Sequence, residues 1–134
     1  MKDLRGINHM VVRNDSSDIL VITHGTMLES CVKAADLSHR FSVYCMNRIK
    51  PIDKQSVKEL FEQFSKIVVI EDHFVTSGLY NSLCQYLVET QSQKTLLYSI
   101  ATPEIYEDVV GSKDYFADRY GYSPQKIAQF VSAL

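Results

Sequence analysis

Three residues in a row, Glu71-Asp72-His73, carry the densest chemistry in this chain, and they follow directly on the apolar run Lys66-Ile67-Val68-Val69-Ile70. A carboxylate beside an imidazole can orient it and stabilise its charge, which is the arrangement acid–base catalysis uses. The same residues at the end of a strand can do something plainer. Glu71 and Asp72 can accept hydrogen bonds from loop amides or cap the helix that starts at about Ser77, leaving His73 to pack at a domain interface. That structural reading is the stronger one. His24-Gly25-Thr26 ends another apolar run, and a helix start there can hold an anion through its free amides. Turn formation and capping are again the simpler assignment for His24 and Thr26. Lys50 and Asp53 flank Pro51, and Asp53 is placed to cap a helix. No residue is assigned a catalytic, cofactor-binding or metal-binding role; His24, Thr26, Lys50, Asp53, Glu71, Asp72, His73 and Gly78 are loop or interface candidates.

Other chemistries are excluded by what the chain lacks. Close approach of backbone to phosphate needs glycines in series, and the five glycines here are well separated. The three cysteines, Cys31, Cys45 and Cys84, stand far apart in apolar surroundings, which fits buried reduced thiols better than a disulfide framework or a metal site. His9, His24, His39 and His73 include no pair at metal-ligand spacing. A net charge of −2 with scattered basic residues offers no footprint for nucleic acid or an anionic membrane. No apolar run reaches the roughly 18 residues of a membrane span, and the opening residues lack the apolar stretch of a signal peptide, so a cytoplasmic protein is expected.

The elements that must position these groups follow from two periodicities. Short runs rich in apolar, β-branched and aromatic residues at 18–23, 41–46, 66–70 and 94–100 read as buried strands. Between them Met27, Leu28, Cys31, Ala34 and Ala35 recur at helical steps, with Thr26 and Glu29 as a capping box. Val57, Leu60, Phe61 and Phe64 form a second stripe behind Asp53. Leu79, Leu83 and Leu87 form a third, from about Ser77 to Glu89, with Tyr80, Cys84 and Val88 beside it. Ser123-Pro124 opens a last helix that places Ile127, Ala128, Val131 and Leu134 on one side. Residues 7–13 alternate loosely and precede Asn14-Asp15-Ser16-Ser17, which predicts an antiparallel edge strand turning back to Asp18 through a hairpin-like loop. At 134 residues with 46% hydrophobic and 22% charged content, one domain over residues 1–134 is expected, α/β, with a mostly parallel sheet covered by helices on both faces.

The order of these signals carries more than any one of them. Ile49-Lys50-Pro51-Ile52-Asp53, then the strand at 66–70, then Glu71-Asp72-His73 running into Ser77-Gly78-Leu79, resembles the C-terminal domain of the transketolase family, in which a Lys/Arg-Pro-Leu-Asp turn, a helix and a strand ending in Glu-Glu-His precede a glycine-rich helix start. The likeness extends to the opening strand and its His24-Gly25-Thr26 turn, and to Pro103-Glu104, Gly111-Ser112, Tyr120-Gly121 and Ser123 to Ile127 near the end. Departures are Asp72 for the second Glu, and Ser77 and Tyr80 where the family's turn has glycine. The resemblance implies a three-layer α/β/α fold around a five-stranded, mostly parallel sheet with one antiparallel edge strand.

It also implies a function: the C-terminal domain or subunit of a transketolase-like enzyme dependent on thiamine diphosphate, of the branch containing split two-subunit transketolases and deoxyxylulose phosphate synthase. Such a domain serves assembly and active-site closure and is not catalytic alone. The family keeps its Gly-Asp-Gly diphosphate-binding segment and its activating Glu on other domains, so thiamine diphosphate and magnesium are expected only in the complete enzyme and no cofactor in this chain. The expected partner is a second copy or a companion subunit carrying the cofactor domains, with the Tyr-rich last third (Tyr98, Tyr106, Tyr115, Tyr120, Tyr122) or the 71–78 loop at the contact. The alternatives are a stand-alone binding or regulatory module of the same fold, which Ser77 and Tyr80 favour, and a small self-sufficient enzyme using Glu71, Asp72 and His73.

Overall fold

A computed structural model describes residues 8–47, 52–71, 78–91, 94–100 and 123–134. The chain runs β1 (Asn8–Val12), β2 (Ile19–Thr23), a 3-10 turn (Gly25–Met27), α1 (Leu28–Ser38), β3 (Ser42–Met46), α2 (Lys54–Gln63), β4 (Lys66–Ile70), α3 (Leu79–Thr90), β5 (Leu96–Ile100) and α4 (Pro124–Ser132). The five strands form one sheet in the order β1-β3-β2-β4-β5. β1 is antiparallel to β3, and the other three pairings are parallel. This is the three-layer, mixed five-stranded architecture that the sequence predicts.

One expectation about strand pairing fails. β1 is an antiparallel edge strand, but it pairs with β3 and not with β2, so the residues between β1 and β2 make a crossing and not a hairpin. Burial explains the choice. Leu20, Val21 and Ile22 are fully buried and need cover on both faces, which only a central strand receives, whereas every residue of β1 is half-buried and suits an edge. The crossing is tied to the start of β3 by side chains. The Asn14 amide N–H donates to Ser42 Oγ (2.8 Å), Asn14 Nδ2 donates to the His39 carbonyl (2.7 Å), and Ser17 Oγ donates to the Arg40 carbonyl (2.5 Å).

Alternation along the central strands divides the core in two. Val21, Val43, Val68, Ile70 and Ile100 face α1 and α4, meeting Met27, Cys31, Ala34, Ile127 and Val131. Leu20, Ile22, Tyr44, Met46, Ile67 and Val69 face α2 and α3, meeting Val57, Leu60, Phe61, Phe64, Leu79 and Leu83. The predicted stripe of α2 is therefore the buried one, and the Phe61 ring meets Tyr86 of α3 edge-on at 5.3 Å. On α3 the stripe holds through Leu79 and Leu83, but Val88, expected beside it, is 76% exposed near the helix end.

Candidate functional site

Parallel strands β2, β3 and β4 end on one edge of the sheet, where an open α/β fold gathers its loops. His24 follows β2, Asn47 follows β3 and Glu71 follows β4, so residues far apart in sequence meet there.

Glu71 is the centre of the cluster, and its side chain is 5% exposed. Its own amide N–H donates to the Ile100 carbonyl (3.1 Å), extending the β4–β5 pairing by one residue. Its carboxylate turns to the start of α3. Oε1 accepts from the Leu79 amide at 3.0 Å and Oε2 from the Tyr80 amide at 3.3 Å. These are the first two N–H groups of the helix, which have no partner within it, and a negative charge there also meets the positive end of the helix dipole. The α3 N-cap residue, Gly78, has φ of +77° and makes no side-chain cap, so the capping group comes from the strand before the loop. The positive φ gives glycine a reason to stand at this position.

The His24 side chain, 11% exposed, brings Nε2 to 3.4 Å from Glu71 Oε1. That separation is long for a charge-assisted bond, so the two helix amides hold the carboxylate more tightly than the imidazole does. A carboxylate that already accepts from helix amides and faces an imidazole is a fixed acceptor and a poor candidate for a mobile base. Of the two roles weighed for Glu71, its geometry is that of a cap.

Beside it, the Gly25 amide N–H donates to Asn47 Oδ1 (3.0 Å), the Met27 amide to the His24 carbonyl (3.3 Å), and the Leu28 amide to the Gly25 carbonyl. These partners occupy most of the amides that an anion at this helix start would need. Thr26 was predicted to cap α1, but it lies inside the 3-10 turn, and α1 itself begins at Leu28 with Met27 at the N-cap position. The reason is that the chain enters helical turns at Gly25, whose φ of +56° makes the bend, two residues ahead of the α-helix. Glu29 pairs with Lys33 at 3.0 Å, one helical turn on.

Asp53 stands apart from this edge cluster as the cap of α2. Its carboxylate accepts from the Gln55 and Ser56 amides (3.2 and 3.3 Å) and from Ser56 Oγ (2.9 Å). Lys50, Asp72 and His73 lie outside the described residues, as do Ser77 and the tyrosines at 106, 115, 120 and 122.

From the sequence, Asn47 was not seen to bond Gly25, and Thr23 was missed. The Thr23 hydroxyl is buried and donates to the Ile70 carbonyl (2.9 Å), tying the ends of β2 and β4 just below Glu71. The Cys31 thiol reaches the same hydroxyl, and burial pushes its pKa up to about 12. A threonine at the end of an apolar strand was the available signal. Among the described residues no group of three His, Cys, Asp or Glu is placed to hold a metal ion.

A mixed five-stranded sheet between two helical layers, with a glutamate at the end of its fourth strand capping the next helix, defines a class of α/β domain. The sequence profile described as "Transketolase, C-terminal domain" matches residues 8–127. The chain belongs to that family. Among curated proteins it is 28% identical to a 1-deoxy-D-xylulose-5-phosphate synthase of Listeria innocua over 121 residues, covering 87% of this chain and 19% of the relative. A synthase of the same name from Pseudoalteromonas translucida is 27% identical, covering 92% and 19%. The chain thus spans about a fifth of the length of the curated relatives it matches, the share being 19% in both. Among solved structures, a split-gene transketolase in an inactive β4 tetramer superposes with a TM-score of 0.79 at 18% identity, covering 99% of this chain and 43% of that one. A transketolase from Campylobacter jejuni gives 0.67 at 14%, covering 100% and 20%. These structural likenesses concern the fold.

Proposed function

We propose that residues 1–134 act as one C-terminal unit of a transketolase-type, thiamine diphosphate-dependent enzyme, serving assembly and active-site closure while other domains or a companion chain carry the chemistry. The observation that carries this reading is the use made of Glu71. Among the described residues, the most buried carboxylate at this edge fixes the start of α3 and faces His24, so it serves structure and leaves no free acid–base pair between those two side chains. The match to about a fifth of the synthases, 19% of their length, supports the same division of labour.

The described residues do not fit thiamine diphosphate and its magnesium. Gly25 and Gly78 sit on separate loops, the Glu71 carboxylate is engaged by helix amides, and no described cluster has the ligands for a metal. We therefore derive no catalytic step for this chain. The family's split members favour a partner, either a second copy or a companion subunit with the cofactor domains. Among the described residues no helix is long and apolar enough to cross a membrane, which agrees with a place in the cytoplasm.

The test is reconstitution. The chain is mixed with the product of a neighbouring reading frame that encodes the Gly-Asp-Gly segment, and complex formation and thiamine diphosphate binding are measured by sedimentation and calorimetry. A stable complex that binds the cofactor with magnesium is the expected result. Micromolar binding of the cofactor by the pure chain would overturn the division of labour. The stand-alone module remains the second reading, favoured by Ser77 and Tyr80 at positions where the family's turn has glycine.

A further inference from the structure

β5 ends the sheet, and its outer side is paired with no other described strand. Its backbone orientation follows from two hydrogen bonds. The Leu96 N–H donates to the Ser65 carbonyl (2.8 Å) and the Ile100 carbonyl accepts from the Glu71 N–H (3.1 Å), so the even-numbered residues face β4. Strand alternation then turns the N–H and C=O of Leu97 and Ser99 to the open side.

Sheet edges are commonly blunted by charge, proline, a bulge or cover. Leu96-Leu97-Tyr98-Ser99-Ile100 has neither charge nor proline, and its register with β4 is continuous. The opposite edge differs, since β1 carries a register irregularity between Met10 and Val12. The β5 edge is also apolar at its rim. Leu96 is 55% exposed and Phe130 of α4 is 39% exposed, the latter with its ring edge-on to Tyr98 at 6.4 Å.

Building on the self-association allowed by the proposed function, we infer that a second copy of this chain pairs with β5, antiparallel, about a two-fold axis at Tyr98. An edge meeting its own copy in this way is self-complementary. Leu97 of one copy stands opposite Ser99 of the other, each such pair exchanges two N–H···O bonds, and the axis repeats the pair. Tyr98 meets Tyr98 at the closer, non-hydrogen-bonded position, and Leu96 meets Ile100 on the same face. Because the strand is uncharged, two copies approach without like-charge repulsion, and the two sheets become one of ten strands.

Ser99→Pro tests this directly. It removes an N–H that faces away from β4, and proline is tolerated on an edge strand when its missing donor faces outward. Sedimentation of the full chain from low micromolar to millimolar concentration is expected to show a monomer–dimer equilibrium for the wild type. Ser99→Pro is expected to stay monomeric with unchanged circular dichroism. Should Ser99→Pro fail to fold, Leu96→Lys, which introduces a charge at an already exposed position, is expected to weaken the dimer at least tenfold. A wild type that stays monomeric throughout overturns both this pairing and self-association. A variant that dimerises like the wild type overturns the β5 contact alone and leaves self-association standing. Capture of the companion chain by the wild type but not by Ser99→Pro, without self-pairing, assigns the edge to a foreign strand and overturns the second copy.

Discussion

The loss of a single carboxylate at position 71 exposes several partners at once. Removing it leaves the buried Leu79 amide and the half-buried Tyr80 amide of α3 without this acceptor and takes away the carboxylate that faces the His24 ring, and orphaned buried donors cost about 1–3 kcal/mol each. Glu71→Ala is therefore expected to destabilise the chain by about 3 kcal/mol or more, read by urea unfolding. Glu71→Gln keeps one carbonyl acceptor in the same shape and should cost clearly less. Equal losses for the two would mean that packing volume, and not acceptance from α3, is what Glu71 provides. Asp53→Ala removes a cap on the surface, with a smaller expected cost of about 1 kcal/mol.

Cys31 gives the residue scale a pH signature. Burial raises its pKa in the folded chain from 9.0 to about 12, so the folded state holds this proton after the unfolded state has lost it. Where the unfolded state binds fewer protons, stability falls as pH rises. The Cys31 contribution is thus complete below pH 9 and declines between pH 9 and about 12. Cys31→Ala should flatten part of that decline in urea unfolding measured across this range. Native-state thiol labelling should also leave Cys31 unmodified, since the thiolate is the reactive form.

At the scale of elements, the sequence reveals whatever depends on local periodicity. The stripe Val57-Leu60-Phe61-Phe64, the Asp53 cap and the Ser123-Pro124 start of α4 are all legible, because cap and apolar face are both written within a few residues. The β1 partner is not legible, since the choice between β2 and β3 depends on which strand needs cover on both faces. The α3 cap is legible in part: Glu71 reads as bonding loop amides or capping the helix, and the amides it takes are those of α3. A helix capped by its own first residues announces itself, but Glu71 and Leu79 stand eight positions apart, and only the placing of the α3 start beside the end of β4 brings them together. On the edge, Glu71 and His24 were legible as candidates, while their mutual approach depends on β2 lying beside β4. The α2 face can be tested by cavity formation. Phe61→Ala removes a buried ring of the core on the α2–α3 side of the sheet, edge-on to Tyr86, and a loss of about 3–5 kcal/mol is expected in urea unfolding. A loss under about 1 kcal/mol would mean that the aromatic contact adds little to the α2–sheet packing.

For the molecule as a whole, linkage offers a test of whether the chain works alone. A ligand or partner that binds only the folded state raises the melting temperature in proportion to the logarithm of its concentration over its dissociation constant. If other domains hold the cofactor, thiamine diphosphate with magnesium should leave the melting temperature of the isolated chain unchanged up to concentrations that saturate the complete enzyme. The companion chain should raise it, and the cofactor should raise it further once that complex has formed. The order of addition matters, because each binding step stabilises only the species that contains its site. A shift from cofactor alone would place phosphate-binding residues on this chain. A companion that produces no shift at any concentration would favour the independent module and separate this chain from the enzyme whose C-terminal fold it shares.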